Sequence, residues 1–279
     1  MEKIAFVLIE INKKNLLMSP RKIRKIVKVK VDPKISSNVR SNITRGPVVV
    51  HKTKPNASTR IAATHRKNVN PNWNIPKVFK PVPRIWAGET VYIIGGGPSL
   101  KGFNWNRLND KKTIVINKAL LSYPNANVLY WTDGRFYNWH KKDIDSFKGL
   151  KYTIAPRREL TEDIHLLKRG VKYGLETSPN TLAHGMNSGY AAINLALHLG
   201  SKKIVLLGYD MGNSGTVSHF HDGYPINATA DTIYNKHFLP GFDILKEHIK
   251  GKGIQIFNAC PTSKLNVFKK ITIEESLSL

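Results

Sequence analysis

Cysteine is almost absent from this chain of 279 residues, and Cys260 is the only one. A lone cysteine excludes an intramolecular disulfide, and no Cys/His spacing suggests structural zinc, so we expect a protein of the reducing cytoplasm. Long apolar runs are missing too. Ile4–Ile9 is shorter than the core of a signal peptide, and no run approaches the roughly 18 apolar residues of a membrane span. We therefore expect neither a secretory leader nor a transmembrane helix.

Acidic residues are scarce: 19 Asp and Glu stand against 44 Lys and Arg, for a formal net charge of +25. Residues 1–84 hold 20 of the basic residues and three of the acidic ones, a net charge of +17. They are rich in Pro, Asn, Ser and Thr, which predicts a basic, largely disordered arm. Such an arm favours a polyanion as partner, with nucleic acid ahead of an anionic membrane. The alternative is a solubilising tail without a specific partner.

From Trp86 onward, short apolar runs alternate with helical patterns. This alternation predicts that residues 85–279 form an α/β domain, Rossmann-like, with a mostly parallel sheet and helices on both faces. Helices are predicted at Asn187–Leu199 and Phe238–Lys250. His198 lies within the first of them and is expected to pack or to form a local hydrogen bond. Strands are predicted at Val91–Ile94, Thr113–Asn117, Val128–Trp131, Tyr152–Ala155, Lys203–Leu207 and Ile254–Phe257.

A glycine turn follows the first predicted strand, in Ile93-Ile94-Gly95-Gly96-Gly97-Pro98-Ser99-Leu100. Glycines let a backbone approach a ligand closely, and Pro98 and Ser99 suit the start of a helix, whose N-terminus favours an anion. The turn, Gly95–Ser99, is thus a candidate phosphate cradle. It matches neither the dinucleotide fingerprint nor the P-loop. The alternative is a tight turn between strand and helix without a ligand.

Ligands of parallel sheets bind beyond the carboxyl ends of the strands, which directs attention to polar residues there. Each has a structural alternative, since Asn117 can cap the next turn and Asp133 can belong to a turn with Gly134. Asn187, Ser188 and Gly189 cap a helix and also offer a second anion or ribose site. The strand-end candidates are Gly95–Ser99, Asn117, Asp133, Asp210 and Asn258.

The segment 213–224 is polar, glycine-bearing and too long for an ordinary connection, which is typical of an active-site loop. His219 and His221 alternate about Phe220 and would share one side of an extended chain. Histidine is the usual general base for a hydroxyl group, and we favour His221 because Asp222 is beside it. The alternatives are a metal pair with Asp210 or Asp222, or a structural loop.

These motifs occur in the order found in the bacterial sialyltransferases of glycosyltransferase family 42, which residues 89–268 resemble. The shared motifs are Ile-Ile-Gly-Gly-Gly-Pro-Ser-Leu, Ile-Asn at 116–117, Asn-Ser-Gly at 187–189, Leu-Gly-Tyr-Asp at 207–210, a histidine-bearing loop, and Asn-Ala-Cys-Pro-Thr-Ser at 258–263. The segment is also similar to a family that includes the archaeal 6-hydroxymethylpterin diphosphokinase, and to phage proteins with Asn-Ser-Gly-Tyr and a His-x-His loop.

The sialyltransferase resemblance implies a CMP-sugar donor, no metal requirement and a base in the 219–221 loop. It implies that Gly95, Gly97, Pro98 and Ser99 hold the nucleotide phosphate, that Asn117 touches phosphate or ribose, and that Asn187, Ser188 and Gly189 line the pocket. The chain departs from that family at Gly96, where the sialyltransferases have Asn. Their phosphate-contacting tyrosine pair has three possible counterparts here, Tyr209, Tyr224 and Tyr234.

The diphosphokinase resemblance instead implies ATP, with Mg²⁺ held by Asp133 and Asp210. A third hypothesis is a non-catalytic nucleic-acid-binding protein on this fold. The expectation we carry forward is a nucleotide-dependent transferase, a glycosyltransferase with a CMP- or UDP-linked sugar donor. Modification of phage DNA would give the basic arm a use. The expected catalytic residues are His221, His219 and Asp210, and the expected nucleotide site is Gly95, Gly96, Gly97, Pro98, Ser99, Asn117, Asp133, Asn187, Ser188 and Gly189.

Overall fold

Eight strands form one parallel sheet in the computed structural model, which describes residues 79–156, 160–212 and 231–279. The spatial order of its strands is β10-β9-β8-β1-β2-β3-β4-β5, and a second, two-stranded parallel sheet pairs β6 with β7. The strands are β1 (Thr90–Ile94), β2 (Lys112–Ile116), β3 (Val128–Trp131), β4 (Leu150–Thr153), β5 (Ile164–Leu166), β6 (Lys168–Arg169), β7 (Thr181–Leu182), β8 (Lys203–Leu207), β9 (Gln255–Asn258) and β10 (Lys269–Lys270).

The central strands are apolar along their whole length because both faces of the sheet are covered. In β1, Val91 and Ile93 belong to one buried cluster, while Tyr92 and Ile94 belong to the other. Successive side chains of a strand point to opposite faces, so the two clusters are the two sides of the sheet. The predicted Rossmann-like α/β fold, with helices on both faces of a parallel sheet, is confirmed.

Two helices of 11 residues cover the first face and short helices cover the second. The first pair is α4 (Ser188–His198) and α6 (Leu239–Ile249). A three-residue helix, α5 (Asp231–Ile233), and a π-helical turn, Tyr234–Phe238, lead into α6, where Pro240 has no N–H to donate. The others are α1 (Ala119–Ser122), α2 (Gly134–Trp139), α3 (Lys141–Ser146) and α7 (Ile273–Leu277).

The predicted strands and helices all occur, within a few residues of their predicted ends. The described part of the chain begins before residue 85: Val82 is buried in the first cluster and its N–H donates to the carbonyl of Pro179, at 2.8 Å. The boundary between arm and domain stays a prediction, because residues 1–78 lie outside the described residues. Within 79–156, 160–212 and 231–279, none of the helices has the length and apolar composition needed to cross a bilayer.

The order of the strands reverses between β1 and β8. From β1 the chain moves outward through β2, β3, β4 and β5, and then returns along α4 to place β8 on the other side of β1. In open parallel sheets the ligand crevice lies at such a switch point, beyond the carboxyl ends of the strands. For this chain the rule places the expected ligand site at the segments that follow Ile94 and Leu207.

Candidate active site at the carboxyl edge of the sheet

The segments after β1 and β8 are in direct backbone contact at the switch point. The N–H of Gly95 donates to the carbonyl of Leu207, and the N–H of Gly97 donates to that of Gly208, both at 2.8 Å. A Cβ on Gly95 would lie 2.8 Å from the Gly208 oxygen. A Cβ on Gly97 would lie 2.5 Å from the same oxygen and 1.8 Å from Oδ2 of Asp210. Packing between the two chain segments therefore requires glycine at both positions, with or without a ligand.

Asp210 binds the glycine turn through both of its carboxylate oxygens. Oδ1 accepts the N–H of Ser99 at 2.9 Å, and Oδ2 accepts the hydroxyl of Ser99 at 2.7 Å. The predicted helix after the turn is a single 3₁₀ turn, Pro98–Leu100, so its dipole is small. The carboxylate of Asp210 caps this turn and occupies a position where the sequence predicted a phosphate contact.

The backbone donors of the predicted phosphate cradle are mostly taken within the protein. Gly95, Gly97 and Ser99 each donate to another protein group, and Pro98 has no N–H. Among the described residues, none accepts the N–H of Gly96. The phosphate cradle stays a prediction, and Gly96 is the residue through which its backbone can still bind an anion.

The N-terminus of α4 has two backbone N–H groups without a described acceptor. Asn187 caps the helix, because its Oδ1 accepts the N–H of Tyr190 at 2.8 Å. The N–H groups of Ser188 and Gly189 donate to none of the residues that the structure describes. Free N–H groups at the positive end of an 11-residue helix dipole favour a negatively charged ligand. The second anion site at Asn187, Ser188 and Gly189 stays a prediction.

The hydroxyl of Ser188 joins this helix end to the ends of two strands. Nδ2 of Asn117 donates to it at 3.3 Å, and the Oγ1 of Thr132 lies 2.7 Å from it. Asn117 has a φ of 51°, a left-handed conformation that asparagine tolerates better than most residues. Its Oδ1 is buried and accepts no hydrogen bond from any described residue. A buried acceptor without a donor is costly, and a ligand hydroxyl group beside Ser188 would satisfy it.

Two residues at this edge escaped the sequence analysis. Thr132 contacts Ser188 across 56 positions of sequence, and nothing in the sequence pattern connects the two. Lys118, which follows Asn117, is only 7% exposed. The burial of Lys118 could not be predicted from the sequence, because lysine is rarely buried unless it has a partner.

Tyr209 packs between the glycine turn and α4. A Cβ on Gly189 would lie 2.8 Å from the ring of Tyr209, and one on Gly95 would lie 3.3 Å from it. The Tyr209 hydroxyl donates to the carbonyl of Gly189 at 3.0 Å, and burial raises its pKa well above the ordinary value. Tyr209 thus fixes the distance between the two predicted anion sites. Of the other possible counterparts of the sialyltransferase tyrosines, Tyr234 is buried against Phe238, and Tyr224 lies outside the described residues.

Asp133 is bound to Arg135 at the start of α2. Its Oδ1 accepts the N–H of Arg135 at 2.9 Å, and its Oδ2 accepts the guanidinium Nε at 2.9 Å. The hydrogen bond to Asp133 is the main cause of a raised pKa for Arg135. Asp133 and Asp210, the carboxylates of the magnesium hypothesis, thus both accept hydrogen bonds from protein groups. Within the described ranges, no group of three or more His, Cys, Asp or Glu could hold a metal ion.

The remaining candidates take no part in the contacts described above, although Asn258 lies at the same edge, opposite Leu206 of β8. Asn258, at the end of β9, is fully buried, and its Nδ2 donates to the carbonyl of Leu265 at 3.5 Å. Its Oδ1 accepts no hydrogen bond from the described residues, and its surroundings are those of the core. His219 and His221, the predicted bases, lie outside the described residues.

No protein-family model and no curated protein matches the chain. Among solved structures, the chain is similar to the sialyltransferase CstII from Campylobacter jejuni, in complex with a substrate analogue, cytidine-5'-monophosphate. The identity is 17%, the match covers 67% of this chain and 86% of that one, and the TM-score is 0.42. Values this low indicate a distant likeness, and no conclusion about ligands follows from them.

Proposed function

We propose that the protein is a nucleotide-dependent transferase, and specifically a glycosyltransferase with a nucleotide-sugar donor. The observation that carries the proposal is the pairing at the N-terminus of α4. Two N–H groups, those of Ser188 and Gly189, have no acceptor among the described residues, and the buried Oδ1 of Asn117 has no donor among them. Two donors beside an acceptor suit a phosphate next to a ribose hydroxyl group. The order of the sequence motifs supports the same reading.

In the proposed reaction, an acceptor hydroxyl oxygen forms a bond to the anomeric carbon of the sugar. The bond from that carbon to the phosphate oxygen breaks, and the nucleotide leaves with the electron pair. The hydroxyl proton passes to a base, for which His221 and His219 remain the predicted residues. If either is the base, its replacement by alanine lowers turnover and leaves nucleotide affinity nearly intact. The α4 N-terminus would stabilise the negative charge on the departing phosphate.

The donor we propose is CMP- or UDP-linked, bound without a metal ion. The diphosphokinase alternative needs Mg²⁺ on Asp133 and Asp210, and these carboxylates are engaged by Arg135 and Ser99. For the acceptor, the net charge of +17 in residues 1–84 supports nucleic acid, with phage DNA as the specific proposal.

Calorimetry on the purified full chain tests the nucleotide. CMP, CDP, UDP, GDP and ATP are each titrated in Mg²⁺ and in a chelator. We expect a pyrimidine nucleotide to bind in the chelator. Binding of ATP that requires Mg²⁺ would support the diphosphokinase alternative. Failure of all five to bind would overturn the transferase proposal and favour a non-catalytic nucleic-acid-binding protein.

Replacement of Ser188 by alanine tests the site. The change removes the hydroxyl that joins Asn117 to Thr132. Oδ1 of Asn117, which we propose to accept a hydrogen bond from the ligand, is then no longer held in place. We expect the Kd of the bound nucleotide to rise about tenfold, which corresponds to about 1.4 kcal/mol. Thr132→Val should have an effect in the same direction.

Thr90→Val is the matched control, because Thr90 lies at the opposite, amino end of β1, where its hydroxyl donates to the carbonyl of Leu279. Its nucleotide affinity should equal that of the unmodified protein. Equal affinity in all of these proteins would remove the proposed role of Ser188.

A further inference from the structure

A basic segment lies along the chain that leads into α4. Strand β6 pairs with β7, so that Arg169 is opposite Leu182. The pairing continues beyond the strands: the N–H of His184 donates to the carbonyl of Val171 at 3.1 Å, and that of Gly185 donates to the carbonyl of Lys172 at 2.7 Å. The pairing places the backbone of residues 169–172, with its two basic residues, beside the backbone of residues 182–185, which carries His184.

The basic side chains of this segment have no carboxylate bound directly to them among the described residues. Arg169 and Lys172 are exposed, and neither forms an ion pair with any carboxylate that the structure describes. The ammonium of Lys172 lies 4.8 Å from the ring centre of Tyr173. Glu176 belongs to the same loop, and its carboxylate, which accepts the N–H of Val171 at 2.8 Å, places one negative charge beside these cations, so the two positive charges remain in excess. An excess of positive charge in one place favours binding of an anion.

His184 is held in one orientation at the centre of this cluster. The N–H of Met186 donates to its Nδ1 at 3.2 Å, so the neutral ring carries its proton on Nε2 and offers a donor there. Burial lowers the pKa of His184, and the charges of Arg169 and Lys172 lower it further. This direction agrees with the backbone bonds that join His184 and Gly185 to Val171 and Lys172.

The cluster lies near the candidate nucleotide site. His184 precedes Ser188 by four residues, which span at most about 14 Å even when fully extended. The charge of Arg169 also acts on the buried hydroxyl of Tyr130, where it opposes the rise in pKa caused by burial. Tyr130 lies in β3, two residues before Thr132, which contacts Ser188. Leu182, the residue opposite Arg169 in β7, belongs with Tyr130 to the buried cluster that α4 covers, so Arg169 lies beside that face of the sheet.

We propose that Arg169, Lys172 and His184 form a second anion site, which binds an oxyanion, carboxylate or phosphate, on the acceptor of the transfer reaction. The site itself follows from the cluster, and its assignment to the acceptor rests on the proposed function. In the proposed function, the phosphate of the donor nucleotide binds at Ser188 and Gly189. The positive charge of Arg169 and Lys172 is then available to bind an anionic group of the acceptor. A guanidinium gives paired N–H donors that fit either oxyanion, and Lys172 and His184 add single donors.

NMR spectroscopy of the full chain tests the site, through the ¹H–¹³C signals of the histidine Cε1–H groups. The chain has 10 histidines, and His184→Gln identifies the signal of residue 184. Inorganic phosphate and acetate are the probes, each titrated at constant ionic strength with and without CMP. We expect a saturable shift of the His184 signal and an upward shift of its pKa. Saturation by phosphate alone indicates a phosphate-bearing acceptor, and saturation by acetate alone a carboxylate-bearing one.

Arg169→Gln and Lys172→Gln should each raise the Kd of the anion, taken from the saturable shift, at least about fivefold. Each substitution removes a charged hydrogen-bond donor. Lys168→Gln is the matched control: Lys168 is the neighbour of Arg169 in β6, exposed as well, and its ammonium lies over the ring of Phe79. It should leave the shift unchanged.

No saturable shift with either probe would overturn the anion site, and so would an equal loss in Lys168→Gln. The CMP titration separates the two proposals. Phosphate or acetate binding without CMP binding would support the anion site and count against the nucleotide transferase. CMP binding without anion binding would overturn the anion site and leave the transferase standing.

Discussion

Single residues at the switch point serve the packing of the protein as much as any ligand. Gly97 has an extended backbone, so glycine is not required there for its φ. It is required because a side chain would collide with the Gly208 carbonyl and the Asp210 carboxylate. The sequence predicted a phosphate cradle at Gly95–Ser99, but a glycine turn has the same pattern whether a phosphate or a neighbouring chain segment lies against it.

Replacement of Gly97 by alanine tests this argument. The added Cβ would lie 1.8 Å from Oδ2 of Asp210 and 2.5 Å from a backbone oxygen that cannot turn away. We expect the free energy of unfolding to fall by about 3 kcal/mol, at the upper end for an overpacked site. Urea denaturation measures this loss.

Gly251→Ala is the control for the Gly97 substitution. It has open space around its Cβ position but a φ of 73°, so it should lose only about 1 kcal/mol, from backbone strain. A loss at Gly97 no larger than this would mean that the glycine turn and the segment after β8 move apart easily.

Among the helices, α4 does the most to position the candidate site. Its buried Asn194 accepts the N–H groups of Glu176 and Ala183 through Oδ1, at 3.1 Å and 3.0 Å. Nε2 of His198 lies 2.8 Å from the carbonyl of Thr181. The prediction that His198 forms a local hydrogen bond is confirmed. These bonds fasten the loop before α4 to the helix, and that loop carries His184.

The free energy of unfolding of the protein should depend on pH through His198, which lies in this helix. Burial, the largest cause, lowers its pKa below the ordinary value of 6.5. At a pH between the lowered native pKa and 6.5, the unfolded chain binds more protons than the folded one. The free energy of unfolding therefore decreases as the pH falls through this range. His165 and His184, whose pKa values are also lowered, act in the same direction.

We expect the free energy of unfolding to decrease as the pH falls from about 7.5 to about 5.5. His198→Gln, which can still donate to Thr181 and does not titrate, should make that dependence shallower. His248→Gln, an exposed change on α6, is the control and should leave it unaltered. A dependence equally steep in all three proteins would show that the buried histidine of α4 does not couple to folding.

The long elements were predictable because their patterns are strong. The apolar runs of β3 and β8 gave their bounds, and the 3.6-residue period gave α4 to within one residue at each end. The short helices α1, α2 and α3 were missed, since four to six residues hold too little periodicity. In contrast, α7 had a readable start: Thr272 and Glu275 form a capping box.

Over the whole molecule, most of the positive charge precedes the residues that form the sheet. Residues 1–84 carry a net charge of +17 and the remaining 195 residues carry +8, although the latter contain the sheet and the candidate site. Contacts such as that of Ser188 with Thr132 depend on how the whole chain folds, and no local pattern predicts them. The charge asymmetry is the opposite case, because it can be read in full from the sequence.

That asymmetry predicts how the full chain binds DNA. If residues 1–84 contact phosphates, the logarithm of affinity for a duplex should fall with the logarithm of salt concentration by about 0.9 for each phosphate contact. The triple change of Arg24, Lys25 and Lys28 to glutamine should reduce this slope. Fluorescence anisotropy with a labelled duplex, over a series of salt concentrations, measures it.

The matched control is the triple change of Lys246, Lys250 and Lys252 to glutamine. These lysines are exposed at the end of α6 and beyond it, so the control has the same net charge as the arm variant. If the arm makes the contacts, the control keeps the original slope, because counterions are released only where phosphates are neutralised. Equal reductions in both variants would mean that the duplex responds to overall charge, and the arm would then have no specific role in binding.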